Sequence, residues 1–209
     1  HYGTKSNIYQ CTQRIIMNNV VICGIGLIGG SIAKGLSKDN FNIYVIDSNH
    51  ESKNNAIKNK HAQEVMRSVE EAKKLEDGIF IFATPPATTL DILKQNKWLL
   101  GSNFSVTDVT SVKTELLKYL KGFDADNFIL SHPISGSHLS GFKNSSENLF
   151  AGKTTIISSL GSSKFHLDRI QNLWESLNSN VIELDNENHD KIFSLTSHLP
   201  HFVAYSLMK

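Results

Sequence analysis

The chain contains few of the residues that mark secreted, fibrous or membrane-spanning proteins. Its 209 residues include only two cysteines and four prolines. Two cysteines without a Cys-x-x-Cys pair do not form the disulfide framework of a small secreted domain, so we expect reduced thiols in a cytoplasmic protein. No apolar run approaches the ~20 residues that a membrane helix needs. The N-terminus also lacks the charged-then-apolar pattern of a signal peptide.

An excess of charge of either sign is also absent. Lysine and arginine number 21, aspartate and glutamate 20, and the formal net charge is +1. This balance gives no electrostatic basis for binding nucleic acid or an anionic membrane surface. Hydrophobic residues make up 40% of the chain, as in ordinary globular domains. We therefore expect a small-molecule partner, with no nucleic acid and no membrane.

Short apolar segments alternate with amphipathic segments along most of the chain. The apolar segments predict strands at 19–24, 41–47, 77–84, 104–109, 127–131, 154–158 and 180–184. The amphipathic segments predict helices at 27–38, 51–60, 87–95, 111–121, 163–177 and from about 187 onward. Alternating strands and helices favour an α/β fold with a mainly parallel sheet that is covered on both faces.

The two ends of the chain do not fit this alternation. Residues 1–16 precede the first strand, and we leave them unassigned. A linker from an upstream domain, cloning sequence and a translated leader would each explain them. Residues 186–209 stop within an apolar helical pattern that has no capping residue. We expect a dinucleotide-binding domain over residues 17–185, followed by the start of a truncated all-helical domain.

A glycine-rich segment, "GIGLIGGSIAKGL", follows the first predicted strand and opens the first predicted helix. Gly24 would allow the tight turn, Gly26 the approach of a pyrophosphate, and Gly29 close packing of helix and strand. Leu27 and Ile28 begin the helix whose N-terminal N–H groups would face the phosphates. In this context Gly-x-Gly-x-x-Gly predicts a Rossmann-type, doubly wound dinucleotide-binding fold.

An acidic residue at the end of the second strand indicates which dinucleotide binds. Asp47 comes 18 residues after Gly29, close to the spacing of the carboxylate that binds the adenine ribose. A carboxylate there would repel a 2′-phosphate, so we expect NAD rather than NADP. Thr84 and Pro85 follow the next strand in "ATPPATT" and are expected to be cofactor neighbours, although a proline-rich turn explains them equally well.

Polar residues follow two further strands at the same predicted edge. "VTDVTSVK" places Asp108, Thr110 and Ser111 there, and "SHPISGSHLSG" places His132 after the next strand. A histidine near a nicotinamide ring can accept the hydroxyl proton of an alcohol that loses a hydride. Taken alone, a histidine before a proline is more often structural.

The order in which these motifs occur favours a catalytic role for His132 over a structural one. "GIGLIGGSIAKGL", "TDVTSVK", "HPISGSHLSGF…LFAGK" and "HD…SLTSHLPHFVAYSL" occur in one order along residues 19–209. The chain thereby resembles the prephenate and arogenate dehydrogenase family of tyrosine biosynthesis. The His-Pro-x-x-Gly and Ser-His-Leu-Pro-His elements are more specific than the glycine segment.

The resemblance implies a role for each matching residue. His132 matches the catalytic histidine that accepts the proton of the C4 hydroxyl, and Ser111 matches the serine that orients the same group. His201 and Ser197 match residues of the substrate pocket. The cofactor contacts that we expect from the glycine motif and the strand ends are Gly24, Gly26, Leu27, Ile28, Gly29, Asp47, Thr84, Pro85, Val109 and Thr110. The implied reaction is oxidative decarboxylation of prephenate, with arogenate as the main alternative substrate.

The chain departs from the family pattern directly after His-Pro-x-x-Gly. Many members carry Thr-Glu there, whereas this chain has Ser137 and His138, which we place in the substrate site. A ring in place of a carboxylate would alter substrate preference or the pH profile. The resemblance further implies a homodimer formed through C-terminal helices. Another dehydrogenase on this fold, and an NAD-binding sensor that has lost turnover, remain open.

Nine histidines raise the question of a metal site. His198 and His201 have i, i+3 spacing, but no third ligand stands at standard spacing, so we expect no metal. His50, His61 and His166 lie among polar residues and are expected at the surface.

Overall fold

The computed structural model describes residues 19–135 and 139–184. These residues form an eight-stranded sheet in the order β3-β2-β1-β4-β5-β6-β7-β8. The strands are β1 Asn19–Cys23, β2 Asn42–Ile46, β3 Glu64–Val65, β4 Gly78–Phe82, β5 Phe104–Asp108, β6 Phe128–Pro133, β7 Thr154–Ser159 and β8 Asn180–Glu183. All neighbouring strands pair in parallel except β6 and β7. The predicted Rossmann-type, mainly parallel sheet is confirmed.

Within the described residues, five α-helices connect and cover the strands. They are α1 Leu27–Leu36, α2 His50–Lys58, α3 Pro86–Gln95, α4 Thr114–Leu120 and α5 Lys164–Ser176. Short 3₁₀ helices lie at Val69–Leu75, Lys97–Leu99 and Phe142–Asn144. The sequence prediction missed β3 and these three short helices, because two to seven residues carry too little periodicity to be recognised.

Two hydrophobic cores lie on opposite faces of the sheet, as the alternation of side chains along a strand requires. In β1, Val20 and Ile22 pack with Ile32 of α1 and Trp174 of α5. The intervening Val21 and Cys23 belong to the other core, with Leu93 of α3 and with Leu116 and Leu120 of α4. Both faces are therefore covered, which explains why the central strands read as continuous apolar runs.

The antiparallel pair at β6 and β7 differs from the expected pattern. A parallel neighbour would need a crossover of a dozen or more residues, usually a helix. Among the described residues between these strands, the only helix is the single 3₁₀ turn at Phe142–Asn144. The chain therefore turns back beside β6, and the pairing extends β6 to include His132 and Pro133. The prediction that His132 follows the strand was wrong: it lies in β6.

A second difference concerns Ser111. The predicted helix over 111–121 begins only at Thr114, and Ser111 lies in the preceding loop. That loop is held by a side chain, since the backbone N–H of Thr110 donates to Asp108 Oδ2 over 3.0 Å. A local bond of this kind competes with the helical backbone pattern and delays the start of α4.

Candidate functional site

The loops that follow β1, β4 and β5 leave the sheet at one level. Residues Cys23, Phe82 and Asp108 stand in register across these three strands. The next residue of each chain segment then donates to the neighbouring strand: Ala83 N to Cys23 O over 2.7 Å, and Val109 N to Phe82 O over 3.1 Å. The carboxyl edge therefore presents the glycine-rich, proline-rich and polar loops side by side, which is where open α/β sheets bind ligands.

The three motif glycines have three different surroundings. Gly24 has φ +94°, and a Cβ there would lie 2.6 Å from Ala83 O. A Cβ at Gly29 would lie 1.9 Å from Gly24 O, so α1 approaches the turn too closely for any side chain. Beside Gly26 nothing lies within 4 Å of a Cβ. The first two glycines are required by the fold, whereas Gly26 leaves space that a ligand can occupy.

The N-terminus of α1 suits an anion. Its first residues, Leu27 and Ile28, follow Gly26 as the N-cap, and its first turn holds no acidic side chain. The first N–H groups of a helix lack partners within the helix and carry partial positive charge. A pyrophosphate therefore fits the open space at Gly26 both sterically and electrostatically.

Asp47 lies directly after β2 and reaches the glycine-rich loop. Its Oδ2 accepts the backbone N–H of Ile25 over 2.7 Å, and its Oδ1 accepts the N–H of Asn49 over 2.7 Å. The side chain is half-buried, so the carboxylate is oriented by the backbone while it remains open to solvent on one side. This geometry is compatible with accepting hydrogen bonds from ribose hydroxyls next to the pyrophosphate position.

Four further residues were predicted to contact the cofactor: Thr84, Pro85, Ile28 and Val109. The methyl carbon Cγ2 of Thr84 lies 2.8 Å from the Cβ position built on Gly24, and Thr84 Oγ1 is 2.8 Å from Thr89 Oγ1. Pro85 is the N-cap residue of α3 and is exposed. Ile28 and Val109 are partly buried against the same core. The structure thus places Thr84 against Gly24 of the glycine-rich loop, while contact of Thr84, Pro85, Ile28 and Val109 with a cofactor stays a prediction.

His132 lies in a strand and not in a loop. It pairs with Ile156 of β7 and is 9% exposed, so the backbone around it is fixed by the sheet. Ser111 is exposed in the loop after β5, the strand next to β6. The two residues therefore come from neighbouring strand ends. Their convergence on one substrate stays a prediction.

A buried polar cluster around Ser131, the residue before His132, is the main feature that the sequence did not reveal. Lys113 Nζ lies 2.5 Å from Asp108 Oδ2, and the two side chains are 2% and 0% exposed. Trp174 Nε1 donates to Ser131 Oγ over 3.0 Å. The sequence signal was a lysine five residues after a strand-end aspartate, but charged residues are seldom fully buried, so Lys113 was not selected.

His166 corrects one surface prediction. It is 9% exposed in α5, and its Nδ1 lies 2.8 Å from Ser105 Oγ of β5. Burial lowers the pKa of His166, with smaller opposing and reinforcing effects from Asp126, Arg169 and Asp77. His50 is exposed and His61 is half-buried. Polar sequence neighbours misled the prediction because α5 turns His166 toward the sheet.

Four predicted substrate residues lie outside the described residues: Ser137, His138, Ser197 and His201. Within 19–135 and 139–184, three or more histidine, cysteine, aspartate or glutamate side chains do not gather as a metal site would require. In the same ranges, helices fall short of the length and apolarity needed to cross a membrane.

Comparison with known proteins decides the family. Residues 32–183 match the family model "Prephenate dehydrogenase, nucleotide-binding domain", and residues 185–209 match "Prephenate dehydrogenase, dimerization domain". The chain belongs to the prephenate dehydrogenase family. The first match covers most of the described sheet, so the fold and the family agree.

Individual relatives give the same result. The chain is 31% identical over 201 residues to prephenate dehydrogenase of Bacillus subtilis (strain 168) and 30% identical over 200 residues to that of Lactococcus lactis subsp. cremoris. These matches cover 91% and 92% of this chain and 53% of each relative. The chain therefore spans about half the length of these two curated relatives.

A solved structure of the family superposes closely. The crystal structure of prephenate dehydrogenase from Aquifex aeolicus in complex with hydroxyphenyl propionate and NAD+ matches with a TM-score of 0.84 and 33% identity. The match covers 94% of this chain and 70% of that chain.

Proposed function

We propose that this chain carries the nucleotide-binding part of an NAD-dependent prephenate dehydrogenase, which converts prephenate to 4-hydroxyphenylpyruvate and CO₂. The observation that carries the proposal is the shared sheet edge. There a dinucleotide-type glycine loop, with the carboxylate that follows β2, shares the carboxyl edge of the sheet with the end of β5, which precedes Ser111, and with the part of β6 that contains His132. Family membership supports the choice of this reaction over others that use the same fold.

NAD is the proposed dinucleotide. The open space at Gly26, the anion-compatible start of α1 and the oriented Asp47 carboxylate together fit pyrophosphate and an unmodified adenine ribose. A 2′-phosphate would lie against the Asp47 carboxylate and be repelled. When bound, the nicotinamide accepts the hydride that leaves C4 of the substrate ring.

The residues of the chain supply proton transfer and orientation. His132 accepts the proton of the C4 hydroxyl as the hydride leaves, so that oxygen becomes a carbonyl. Ser111 hydrogen-bonds the same oxygen and aligns the C4–H bond. Loss of CO₂ then returns an electron pair through the ring to this oxygen, which regains a proton as a phenol. Aromatisation makes the sequence effectively irreversible, so the protein mainly positions its substrate.

The remainder of the substrate site is assigned to residues that follow these elements. We assign Ser137 and His138, which come five and six residues after His132 in the sequence, to the substrate site, together with Ser197 and His201 of the segment that matches the dimerization domain. The match of residues 185–209 to a dimerization domain supports a boundary near residue 185 and a homodimer formed through that domain. Arogenate is the principal alternative substrate, and His138, where many members carry a carboxylate, would alter substrate preference or the pH profile.

The test is NADH formation by the natural full-length protein with prephenate and, separately, with arogenate. Removing a positioned general base costs about 10²–10⁴-fold in rate, so His132→Asn should lose that much kcat while NAD affinity is kept. His50→Gln, on the exposed start of α2, serves as the control. Wild-type kcat in His132→Asn would remove His132 as the base. If neither substrate yields NADH while NAD binds, the sensor alternative is favoured.

A further inference from the structure

A buried charged pair contacts Ser131, the residue before the proposed catalytic histidine. Asp108 is the last residue of β5 and is 0% exposed, and Lys113, just before α4, is 1% exposed. Their side chains meet at 2.5 Å. Burying two charges carries a desolvation penalty that their attraction need not exceed, so stability alone gives a weak reason for the pair.

The pair holds the backbone next to His132. Lys113 Nζ donates to Ser131 O over 2.6 Å, and Ser131 N–H donates to Asp108 Oδ1 over 3.3 Å. Because Ser131 O and His132 N belong to the same planar peptide group, the lysine contact fixes the orientation of the peptide from which His132 extends. The two charges thus hold the peptide groups on both sides of Ser131.

The same pair also orders the loop that carries Ser111. Asp108 Oδ2 accepts both the backbone N–H of Thr110, over 3.0 Å, and the hydroxyl of Thr110. Lys113 lies at the other end of this loop, directly before α4. One ion pair therefore connects the two segments that bring Ser111 and His132 to the sheet edge.

The side chain of Ser131 completes the arrangement. Its Oγ lies 2.7 Å from Thr107 Oγ1 of β5 and accepts the indole N–H of Trp174 over 3.0 Å. Backbone N–H, carbonyl and hydroxyl of Ser131 are all engaged. Small displacements of the residue before His132 are therefore opposed from three directions.

Direct proton transfer by Lys113 does not fit this geometry. An ammonium group has three N–H donors. Here Nζ contacts Asp108 Oδ2, Ser131 O and, at 3.4 Å, Thr110 Oγ1. These protein contacts and the near-complete burial assign Lys113 to holding the backbone.

We infer that Asp108 and Lys113 form a positioning pair that sets the placement of His132 relative to the Ser111 loop. The inference rests on the proposed function of the site for its catalytic consequence. A misplacement of about 1 Å at a reacting group can cost about 10²-fold in rate. Disrupting the pair should therefore lower kcat about 10- to 100-fold and change KM for the substrate little.

The test compares variants by the NMR signal of His132, which does not depend on turnover. The double variant Asp108→Asn/Lys113→Met removes both charges, so that neither is left buried alone. Lys113→Met is measured beside it and keeps the contact of Asp108 with Thr110. The ring signals of ¹³C-labelled histidine at constant pH are assigned with His132→Asn. We expect the His132 signal to shift or broaden in the double variant while the His166 signal stays in place.

Ser105→Ala is the matched control. Ser105 is a fully buried polar residue of the same strand as Asp108, but its hydroxyl contacts His166. Its loss should shift the His166 signal, leave the His132 signal in place and keep kcat close to that of the wild type. A general loss of stability would instead change the His132 signal in the same way in Ser105→Ala and in the double variant.

The outcomes separate this inference from the proposed function. An unchanged His132 signal in a folded pair variant overturns the positioning role, whatever the activity. If neither variant folds, the pair is a requirement of the fold and the positioning role is rejected. If the wild type turns over neither substrate while the His132 signal shifts as expected, the proposed function fails and the positioning of His132 stands.

Discussion

At the scale of single residues, the glycine-rich loop separates requirements of the fold from requirements of a ligand. Gly24 and Gly29 cannot carry a Cβ without meeting backbone atoms of the loop or of Ala83. Gly26 has open space where a Cβ would stand. One motif therefore contains two kinds of glycine, and substitutions at them should have separable effects.

We predict that Gly29→Ala lowers stability and Gly26→Ala lowers only dinucleotide affinity. Overpacking costs typically about 1–3 kcal/mol, which corresponds to a fall in Tm of roughly 2–12 °C for a chain of this size. Thermal unfolding and NAD+ titration calorimetry of both variants measure the two effects. A Gly29→Ala protein as stable as the wild type, or a Gly26→Ala protein with unchanged NAD+ affinity, would contradict the assignment.

At the scale of elements, α5 is joined to the sheet by polar contacts as well as by its apolar face. Trp174 reaches Ser131 of β6, His166 reaches Ser105 of β5, and Arg169 Nη1 lies 2.7 Å from Asp77 Oδ1 before β4. The amphipathic pattern predicted the helix and its apolar face. It did not predict these inward polar contacts, since their partners are more than 40 residues away in the chain.

The buried His166 should make stability depend on pH. Because burial lowers its pKa in the folded protein below the unfolded value of about 6.5, the unfolded chain binds more protons as the pH falls. The free energy of unfolding should therefore decrease from pH 7 downward until the folded pKa is passed. In His166→Gln this part of the pH dependence should be smaller, as measured by urea unfolding between pH 7.5 and 5.

His61, whose pKa is also lowered chiefly by burial, is present in both proteins, so it contributes equally to the wild type and to His166→Gln. Identical pH profiles for His166→Gln and the wild type would show that His166 does not titrate with folding.

At the scale of the whole molecule, the sheet reverses its strand order at β1. From β1 the chain adds β2 and β3 on one side, and β4 to β8 on the other. The glycine-rich loop after β1 therefore lies at the crevice between the two halves, with Asp47 on one side and the Thr84 loop on the other. A dinucleotide there would contact both halves, so its binding should stabilise the whole domain.

We predict a rise in Tm on addition of NAD+ that exceeds the rise with NADP+ at equal concentration. A ligand at 100 times its Kd adds about 2.7 kcal/mol, or roughly 5–11 °C for this chain length. Differential scanning fluorimetry of the wild type and Asp47→Ser measures both shifts. Loss of the carboxylate should shrink the NAD+ shift and narrow its gap to NADP+; an unchanged NAD+ shift in Asp47→Ser would remove Asp47 from the ribose site.

The sequence by itself determined the elements and the positions of the loops that bear the motifs. Period-two and period-3.6 patterns, glycine spacing and strand-end residues are local, so the parallel core, the glycine-rich loop and the location of Asp47 could be read from them. The extension of β6 through His132 was decided only by its antiparallel partner β7. The burial of Asp108, Lys113 and His166 was likewise decided by the elements packed against them. The sequence next to a charged or ring side chain does not indicate which distant elements will cover it.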